Sequence, residues 1–195
     1  MIAKKCIPVA LSPLPFFLIL CILSFLRYFF VFGAVIFLIV QLFFLFFFRD
    51  MPRTVGEGVI SPADGRVLYV EHNTLAIFMS LMDMHVNLMP YEGRIVKMKH
   101  YEGGHAPAYG NVGNNERLET EIESEIGKIK VVQIAGMIAR RIVPYVREGD
   151  SPGKGDKIGI IRFGSRVELV LPRSCQIVVR EGQKIKAGET IAHVV

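Results

Sequence analysis

The sequence predicts a mainly β domain, a sandwich or open barrel with one or two short helices, preceded by an N-terminal transmembrane helical hairpin. Two observations lead to this class. Residues 6–48 form an apolar stretch in which Arg27 is the only charged residue. From residue 54 onward, short β-branched or alternating apolar runs follow one another, separated by glycine-containing turns.

The apolar stretch is too long for one membrane span. As a single helix its 43 residues would reach roughly 64 Å, about twice the thickness of the hydrocarbon core of a bilayer. Two spans fit, approximately Ile7–Leu26 and Tyr28–Phe48, although a re-entrant or interfacial arrangement stays open. A cleaved signal peptide is a poorer match, because its apolar core is much shorter.

Basic residues flank the stretch on both sides. Lys4 and Lys5 precede it, and Arg49 and Arg53 follow it. The positive-inside rule then places both ends in the cytoplasm. We therefore expect a protein of the cell membrane, with residues 1–50 as its anchor and residues 51–195 as a domain on the cytoplasmic face.

Composition excludes several classes of function. The three cysteines, Cys6, Cys21 and Cys175, form no motif, which argues against a disulfide framework. The five histidines lack zinc-site spacing, so no metal is expected. The net charge of +5 beside an anchor favours anionic lipid headgroups as partners, and no nucleic-acid-binding pattern is present.

Seven strands and one helix are predicted in the soluble part. The helix is placed at Gln133–Val143, where alanine, methionine and arginine favour helix and Pro144 ends it. The strands are predicted at Val67–Val70, Leu75–Met79, Arg94–Met98, Ile129–Ile134, Lys157–Phe163, Arg166–Leu171 and Gln176–Arg180.

A weak internal repeat relates residues 146–161 to residues 179–194. Each copy begins Val-Arg-Glu-Gly and continues through a basic loop and a second glycine turn into a strand. The pattern resembles the hammerhead halves of lipoyl or biotinyl carrier barrels. It predicts a pseudo-symmetric sandwich, or else two unrelated hairpins that share common turns.

Three places carry candidate chemistry. Gly164-Ser165 lies between two strand-like runs, Asp64 lies in the turn Ser61–Gly65, and His85 follows an apolar strand. A histidine at a strand end can act as a general base near neutral pH, and a carboxylate can orient it. Each feature alone is also common in ordinary turns and half-buried positions.

Taken together, these blocks resemble the phosphatidylserine decarboxylase family in its short, membrane-anchored form. The resemblance covers nearly all of residues 58–195, in order, and six blocks in series make it specific. The matching blocks are Ser61–Val67, Asp83–Asn87 with Pro90, Asn115–Arg117, Ile134–Gly136 with Ala139–Val143, Gly155–Gly159, and Ile161–Val167 with Leu171-Pro172.

The resemblance implies a self-processing, pyruvoyl-dependent decarboxylase. The Ser165 hydroxyl would attack the Gly164 carbonyl carbon, and elimination and hydrolysis would leave a pyruvoyl group, the covalent cofactor, at residue 165. This carbonyl would form a Schiff base with the substrate amine and accept the electrons of the broken C–C bond. A β chain of residues 1–164 and an α chain of residues 165–195 would remain together as a heterodimer, with homo-oligomerisation left open.

The implied substrate is phosphatidylserine or archaetidylserine, converted to the ethanolamine lipid with release of CO2. Arg140, Arg141 and Arg166 are candidates for binding the lipid phosphate. Longer family forms carry a second histidine where this chain has Leu88, so the base for self-cleavage is open, with His85 as one choice. The alternative function is a membrane-tethered, lipoyl-like carrier or adaptor without catalysis.

Overall fold

The computed structural model describes residues 1–104, 106–110, 112–137 and 141–195. The chain divides into two compact units, Met1–Met51 and Pro52–Val195. The first is helical and apolar, and the second is built of strands, so the chain as a whole is mainly β as predicted. The predicted division at residue 50 or 51 lies next to this boundary.

The first unit contains three helices, α1 (Ile7–Ala10), α2 (Leu14–Ser24) and α3 (Phe30–Phe47). Two segments, Ile7–Ser24 and Phe30–Phe47, are long and apolar enough to cross a membrane. A turn separates α1 from α2, and Pro13 caps the second helix. Proline fits there because the first turn of a helix has no use for its missing N–H.

Backbone hydrogen bonds join the two ends of the first unit. The Ala3 N–H donates to the Phe48 carbonyl oxygen at 2.7 Å, and the Asp50 N–H donates to that of Met1 at 2.7 Å. Farther along, the buried Gln41 side chain donates from Nε2 to the Ala10 carbonyl oxygen at 2.8 Å. The helices therefore form a hairpin whose two ends lie on the same side.

Within its described residues, the second unit contains thirteen strands in three sheets. The strands are β1 Val59–Ile60, β2 Gly65–Glu71, β3 Thr74–Met79, β4 Val86–Leu88, β5 Arg94–Tyr101, β6 Arg117–Ser124, β7 Gly127–Ala135, β8 Ile142–Pro144, β9 Lys157–Ile161, β10 Ser165–Val170, β11 Cys175–Ile177, β12 Lys184–Ile185 and β13 Thr190–Val194. One sheet has the order β12-β2-β3-β10-β7-β6-β5, and two smaller sheets have the orders β1-β13-β11 and β4-β9-β8.

All seven predicted strands overlap observed ones, but the helix predicted at Gln133–Val143 is wrong. Gln133–Ala135 is the end of β7, and residues 142–144 form β8. Pairing of β7 with β6 on one side and β10 on the other overrides the helical propensity of the segment. Residues 138–140 of the predicted helix lie outside the described residues.

The internal repeat occupies equivalent positions in the two small sheets. β8 and β11 begin 33 residues apart, as do β9 and β13, and β9 and β13 are the central strands of their sheets. The turns also correspond: the Arg147 N–H donates to the Asp150 carboxylate as the Arg180 N–H does to the Gln183 side chain. This equivalence favours the pseudo-symmetric interpretation over two unrelated hairpins.

Strand β10 lies in the middle of the seven-stranded sheet and begins at the candidate serine. Residue 165 is paired with Met79 of β3 and with Ala135 of β7. Successive side chains of a strand point to opposite faces, so Ser165, Val167 and Leu169 share one face. The latter two belong to the hydrophobic core, so the serine enters the sheet on its core side.

Candidate active site

The turn before Ser165 has an unusual backbone. Phe163 and Gly164 both have left-handed backbone angles, with φ of 62° and 65°. A side chain at residue 164 would meet no atom within 4 Å, so glycine is favoured there by backbone conformation rather than by lack of space. A phenylalanine in this conformation costs roughly 1–2 kcal/mol. The chain therefore holds strain directly before the Gly164-Ser165 bond.

The carbonyl group of Gly164 is held by a backbone donor. The Gly136 N–H donates a hydrogen bond of 2.8 Å to the Gly164 oxygen. An alanine Cβ at residue 136 would lie 2.5 Å from that oxygen and 3.1 Å from the Ala108 Cβ. Only glycine lets the two backbones approach this closely. The bond polarises the carbonyl that the Ser165 hydroxyl would attack.

Ser165 supplies a buried nucleophile. The residue has no exposed surface, and its Oγ has no hydrogen-bond partner among the described residues. An unbonded buried hydroxyl costs roughly 1–3 kcal/mol, so such groups are rare outside functional sites. With the polarised Gly164 carbonyl at the preceding residue, this arrangement suits an attack of the hydroxyl on its own peptide bond.

His85 is fully buried at the start of β4. Its Nδ1 lies 2.9 Å from the Asp83 carbonyl oxygen. A carbonyl oxygen only accepts, so Nδ1 carries the proton, and in the neutral ring Nε2 is the basic nitrogen. The backbone oxygen of His85 accepts from the Ile161 N–H at 3.4 Å, which connects this histidine to the segment that leads into the turn before Ser165.

The Asp83 side chain fixes the conformation of residues 80–85, which we call the histidine loop. Its Oδ2 accepts hydrogen bonds from the Ser80 N–H at 2.8 Å and from the Ser80 Oγ at 2.7 Å. The Asp83 N–H donates back to the Ser80 carbonyl oxygen at 3.0 Å. This closed turn fixes the carbonyl that holds the imidazole, so Asp83 acts on His85 through the backbone.

The Asp64 carboxylate contacts three separate groups and does not hydrogen-bond His85. Its carboxylate pairs with Arg53 and accepts from the Ala187 N–H at 2.8 Å. It also accepts from the Met84 N–H at 3.4 Å, the residue directly before His85. The structure thus brings Asp64 to the histidine loop, where it holds the backbone beside the imidazole instead of the imidazole itself.

Leu88 stands where longer family forms have a second histidine. It is buried in β4, and its N–H donates to the Pro62 carbonyl oxygen at 2.9 Å. Nearby Asn87 is also buried, and its Oδ1 accepts from the Gln133 Nε2 at 2.7 Å. Neither leucine nor an amide side chain can act as a base, so His85 remains the candidate base that the sequence indicated in this segment.

Of the three candidate phosphate ligands, Arg141 and Arg166 lie among the described residues. Arg140 lies outside the described residues, and Arg141 is exposed, with its carbonyl oxygen accepting from the Arg162 N–H at 3.2 Å. Arg166 pairs with Glu168 at 2.6 Å and lies over the Tyr69 ring at 5.1 Å. As the residue after Ser165, its side chain lies on the opposite face of the sheet.

Gly136 carried no assigned role at the sequence level. It donates to Gly164 across 28 positions of sequence, and only a general preference for glycine at strand ends could have indicated it. Asn115 belongs to one of the blocks of the resemblance, and its Nδ2 donates to the Ala106 and Ala135 oxygens, each at 2.8 Å. The loop is thereby tied to the strand partner of Ser165.

An apolar pocket of about 190 Å3 reaches the Gly164 carbonyl region. Its walls come from the end of β3, the loop between β5 and β6, and the turn after β7. The lining residues are Phe78, Met79, Ser80, Leu81, Pro107, Ala108, Tyr109, Gly136, Met137 and Gly164. Among the described residues, no three histidine, cysteine or carboxylate side chains are grouped to hold a metal ion.

Comparison with known proteins identifies the family. The model of the phosphatidylserine decarboxylase family matches residues 40–193. The chain is 50% identical over 151 residues to a provisionally named archaetidylserine decarboxylase proenzyme of Archaeoglobus fulgidus, covering 77% of each chain.

Two further relatives carry the same kind of name. A phosphatidylserine decarboxylase proenzyme of Streptomyces avermitilis is 46% identical over 153 residues, covering 75% of this chain and 71% of its own. A provisionally named archaetidylserine decarboxylase proenzyme of Methanosarcina barkeri is 44% identical over 153 residues, covering 76% and 75%. The chain belongs to the phosphatidylserine decarboxylase family and is an enzyme of the decarboxylase class, made as a proenzyme.

Proposed function

We propose that this proenzyme cleaves itself between Gly164 and Ser165 and then decarboxylates a serine phospholipid, with phosphatidylserine and archaetidylserine as the candidate substrates. The observation that carries the proposal is the Gly136 N–H bonded to the Gly164 oxygen, beside a buried Ser165 hydroxyl that has no partner among the described residues. Carbonyl polarisation and an adjacent nucleophile are what an acyl shift needs.

The first step is an acyl shift from nitrogen to oxygen. The Ser165 Oγ bonds to the Gly164 carbonyl carbon, its proton passes to a base, and the peptide C–N bond breaks as the Ser165 nitrogen gains a proton. The negative charge that develops on the Gly164 oxygen is met by the Gly136 N–H. Strain at Phe163 favours leaving the starting geometry.

His85 is the proposed base for this step. Its Nδ1 proton is committed to the Asp83 carbonyl oxygen, so Nε2 takes the Ser165 proton. Asp64 is a positioning residue, because its carboxylate holds the Met84 N–H and the Ala187 N–H. One histidine then serves both self-cleavage and decarboxylation, which accounts for a chain with Leu88 at the second histidine position.

The site fits the pyruvoyl group that the family implies. Residue 165 starts the central strand β10, so the group would be held at the N-terminus of the α chain by sheet pairing on both sides. The pyruvoyl carbonyl supplies an electrophile that binds the substrate amine and takes up the electrons of the broken C–C bond. The surrounding residues exclude water and orient the lipid headgroup.

The helical unit is proposed to anchor the enzyme in the cell membrane. The hairpin joins its ends on one side, and basic residues flank both ends, which favours the cytoplasmic face for the catalytic unit. A lipid substrate would then be presented from the bilayer surface. The carrier or adaptor alternative offers no reason for the strained Gly164-Ser165 turn.

Intact-mass measurement of the purified protein tests the proposal. Wild type should give two chains, residues 1–164 and residues 165–195, the smaller one lighter than a serine-terminated fragment and resistant to Edman degradation because it lacks an amine. Ser165→Ala should remain a single chain. A full-length wild-type protein that still releases CO2 from phosphatidylserine vesicles would refute self-cleavage as the source of activity.

A further inference from the structure

Three exposed apolar side chains lie in or next to the lining of the pocket beside Gly164: Tyr109 and Met137 line it, and Met82 follows the lining residue Leu81 in the chain. Met82, Tyr109 and Met137 are 65%, 70% and 63% exposed. They come from three separate segments, after β3, between β5 and β6, and after β7. We call these three side chains the apolar rim. Single exposed apolar residues are ordinary, whereas a cluster around a cavity marks an interaction surface.

The pocket behind the rim is apolar but too small for a whole ligand. Its volume is about 190 Å3, below the range of roughly 300–1,000 Å3 usual for small-molecule sites. The Phe78 and Tyr109 rings meet edge to face, with centroids 6.0 Å apart, and form part of its wall. The cavity therefore has room for one segment of a larger apolar molecule, the rest of which stays outside the cavity.

Two exposed cations, Arg66 and Lys184, line a groove that shares Phe78 and Ser80 with the lining of the pocket. Arg66 and Lys184 are cross-strand partners of β2 and β12, and Arg66 is also directly opposite Phe78. Among the described residues neither forms an ion pair, and the Arg66 Nη1 donates to the Gly182 carbonyl oxygen at 2.7 Å. The Asp83 carboxylate borders the same groove but is engaged by Ser80.

We propose that the apolar rim and the pair Arg66–Lys184 form a docking face for the surface of an anionic bilayer. The rim enters the boundary between headgroups and acyl chains, where an amphipathic tyrosine is favourable. The cations lie at headgroup level, where each attracts anionic lipid. The pocket then receives the part of a lipid at which its hydrocarbon chains begin, while the lipid remains in the bilayer.

The proposal rests on the proposed function only for the identity of the lipid that enters the pocket. Docking itself requires neither cleavage nor catalysis. It is therefore measured on the full chain carrying Ser165→Ala, which should stay uncut. If docking fails while wild type still cleaves itself, only this inference falls; if wild type fails to cleave while docking persists, only the proposed function falls.

The chain has no tryptophan, so one substitution gives a single site-specific fluorescent reporter. Tyr109→Trp and Met137→Trp, each in the full-length Ser165→Ala protein, are reconstituted in phosphatidylglycerol-containing vesicles with doxyl-labelled lipids. Val96→Trp, in β5 and 42% exposed, is the matched control. We expect doxyl quenching and blue-shifted emission at positions 109 and 137, and quenching by aqueous iodide alone at position 96.

A second experiment tests the role of the two cations by comparing two double variants. Arg66→Glu with Lys184→Glu should reduce doxyl quenching at position 109 at least twofold, whereas Arg94→Glu with Lys128→Glu, an equal change of charge at exposed sites, should not. Two outcomes overturn the proposal. In one, iodide quenches position 109 as it does position 96; in the other, neither quencher reaches it, which indicates a protein partner or a second copy.

Discussion

Replacing Gly136 with alanine would place a methyl group 2.5 Å from the Gly164 oxygen and displace the donor. Loss of one oxyanion donor costs about 10²–10³-fold in rate, so we expect cleavage of Gly136→Ala to be slowed by about 10²-fold. The measurement is a time course of chain cleavage after pulse synthesis. Gly103→Ala is the matched control, because its methyl group would meet the Asn114 oxygen at 2.4 Å, away from the scissile carbonyl. Equal slowing in both variants would remove the special role of Gly136.

His85 carries the second prediction at the scale of single residues. His85→Ala should remain uncut and inactive, because the variant lacks the Nε2 that accepts the serine proton. His193→Ala, which removes an exposed histidine of β13, should be cleaved like wild type. The readout is the ratio of cut to uncut chain on a denaturing gel. Normal cleavage of His85→Ala would show that another group is the base.

At the scale of single residues, part of the candidate site could be predicted from the sequence. Motifs indicated Ser165, His85 and Asp64, because reactive side chains keep characteristic neighbours in the chain. They did not indicate that Asp64 reaches the Met84 N–H, nor that Gly136 reaches Gly164. Those contacts depend on how distant segments of the chain meet in the fold. A backbone N–H is present in nearly every residue, so the residue type does not indicate which one acts as a donor.

At the scale of elements, two of the errors of prediction, one missed strand and one wrong helix, concern neighbouring strands of the large sheet. β6 (Arg117–Ser124) was not predicted, although Leu118, Thr120 and Ile122 are buried in alternation; its many charged residues obscured the pattern. The helix expected from Gln133 onward gave way to β7, since both edges of that strand are hydrogen-bonded to neighbours. Helix propensity depends only on the local sequence. In the sheet, neighbouring strands supply the hydrogen bonds that a helix would have supplied to the same backbone groups.

Strands β6 and β7 also carry a pH-dependent element of stability. Burial acts to raise the pKa of Glu119, but hydrogen bonds from Lys130 and Arg117 and their charges outweigh it, so the pKa is lowered. A depressed pKa in the folded state adds stability that is present above the unfolded value, roughly pH 4.3. This contribution is lost as the pH falls through the folded pKa.

Glu119→Gln should therefore flatten the acid side of the stability curve. Compared with wild type, we expect it to be less stable at neutral pH and to lose less stability between neutral pH and about pH 3. Unfolding by denaturant at several pH values measures this. Glu123→Gln, an exposed change on the same strand, should leave the pH dependence as in wild type, and an identical curve for Glu119→Gln would contradict the argument.

At the scale of the whole molecule, the bond proposed to be cut is placed so that its cleavage would leave the fold connected. The segment after residue 164 contributes β10, the central strand of the large sheet, as well as β11, β12 and β13. The first of these is paired along its full length with β3 and β7. The fold class was predictable because apolar alternation persists over the whole domain, whereas the sheet order depends on pairings between distant segments.

The two chains should consequently stay associated after cleavage. We expect residues 165–195 to co-elute with residues 1–164 in mild detergent and to separate only in denaturant. Leu169→Ala removes a fully buried side chain of β10 and should cost about 2–5 kcal/mol of stability, lowering the denaturant midpoint for release of the small chain. Val178→Ala, at a half-exposed position, should release it near the wild-type midpoint. Native mass spectrometry across a denaturant series measures the release, and loss of the small chain on gel filtration without denaturant would show that strand pairing alone does not hold it.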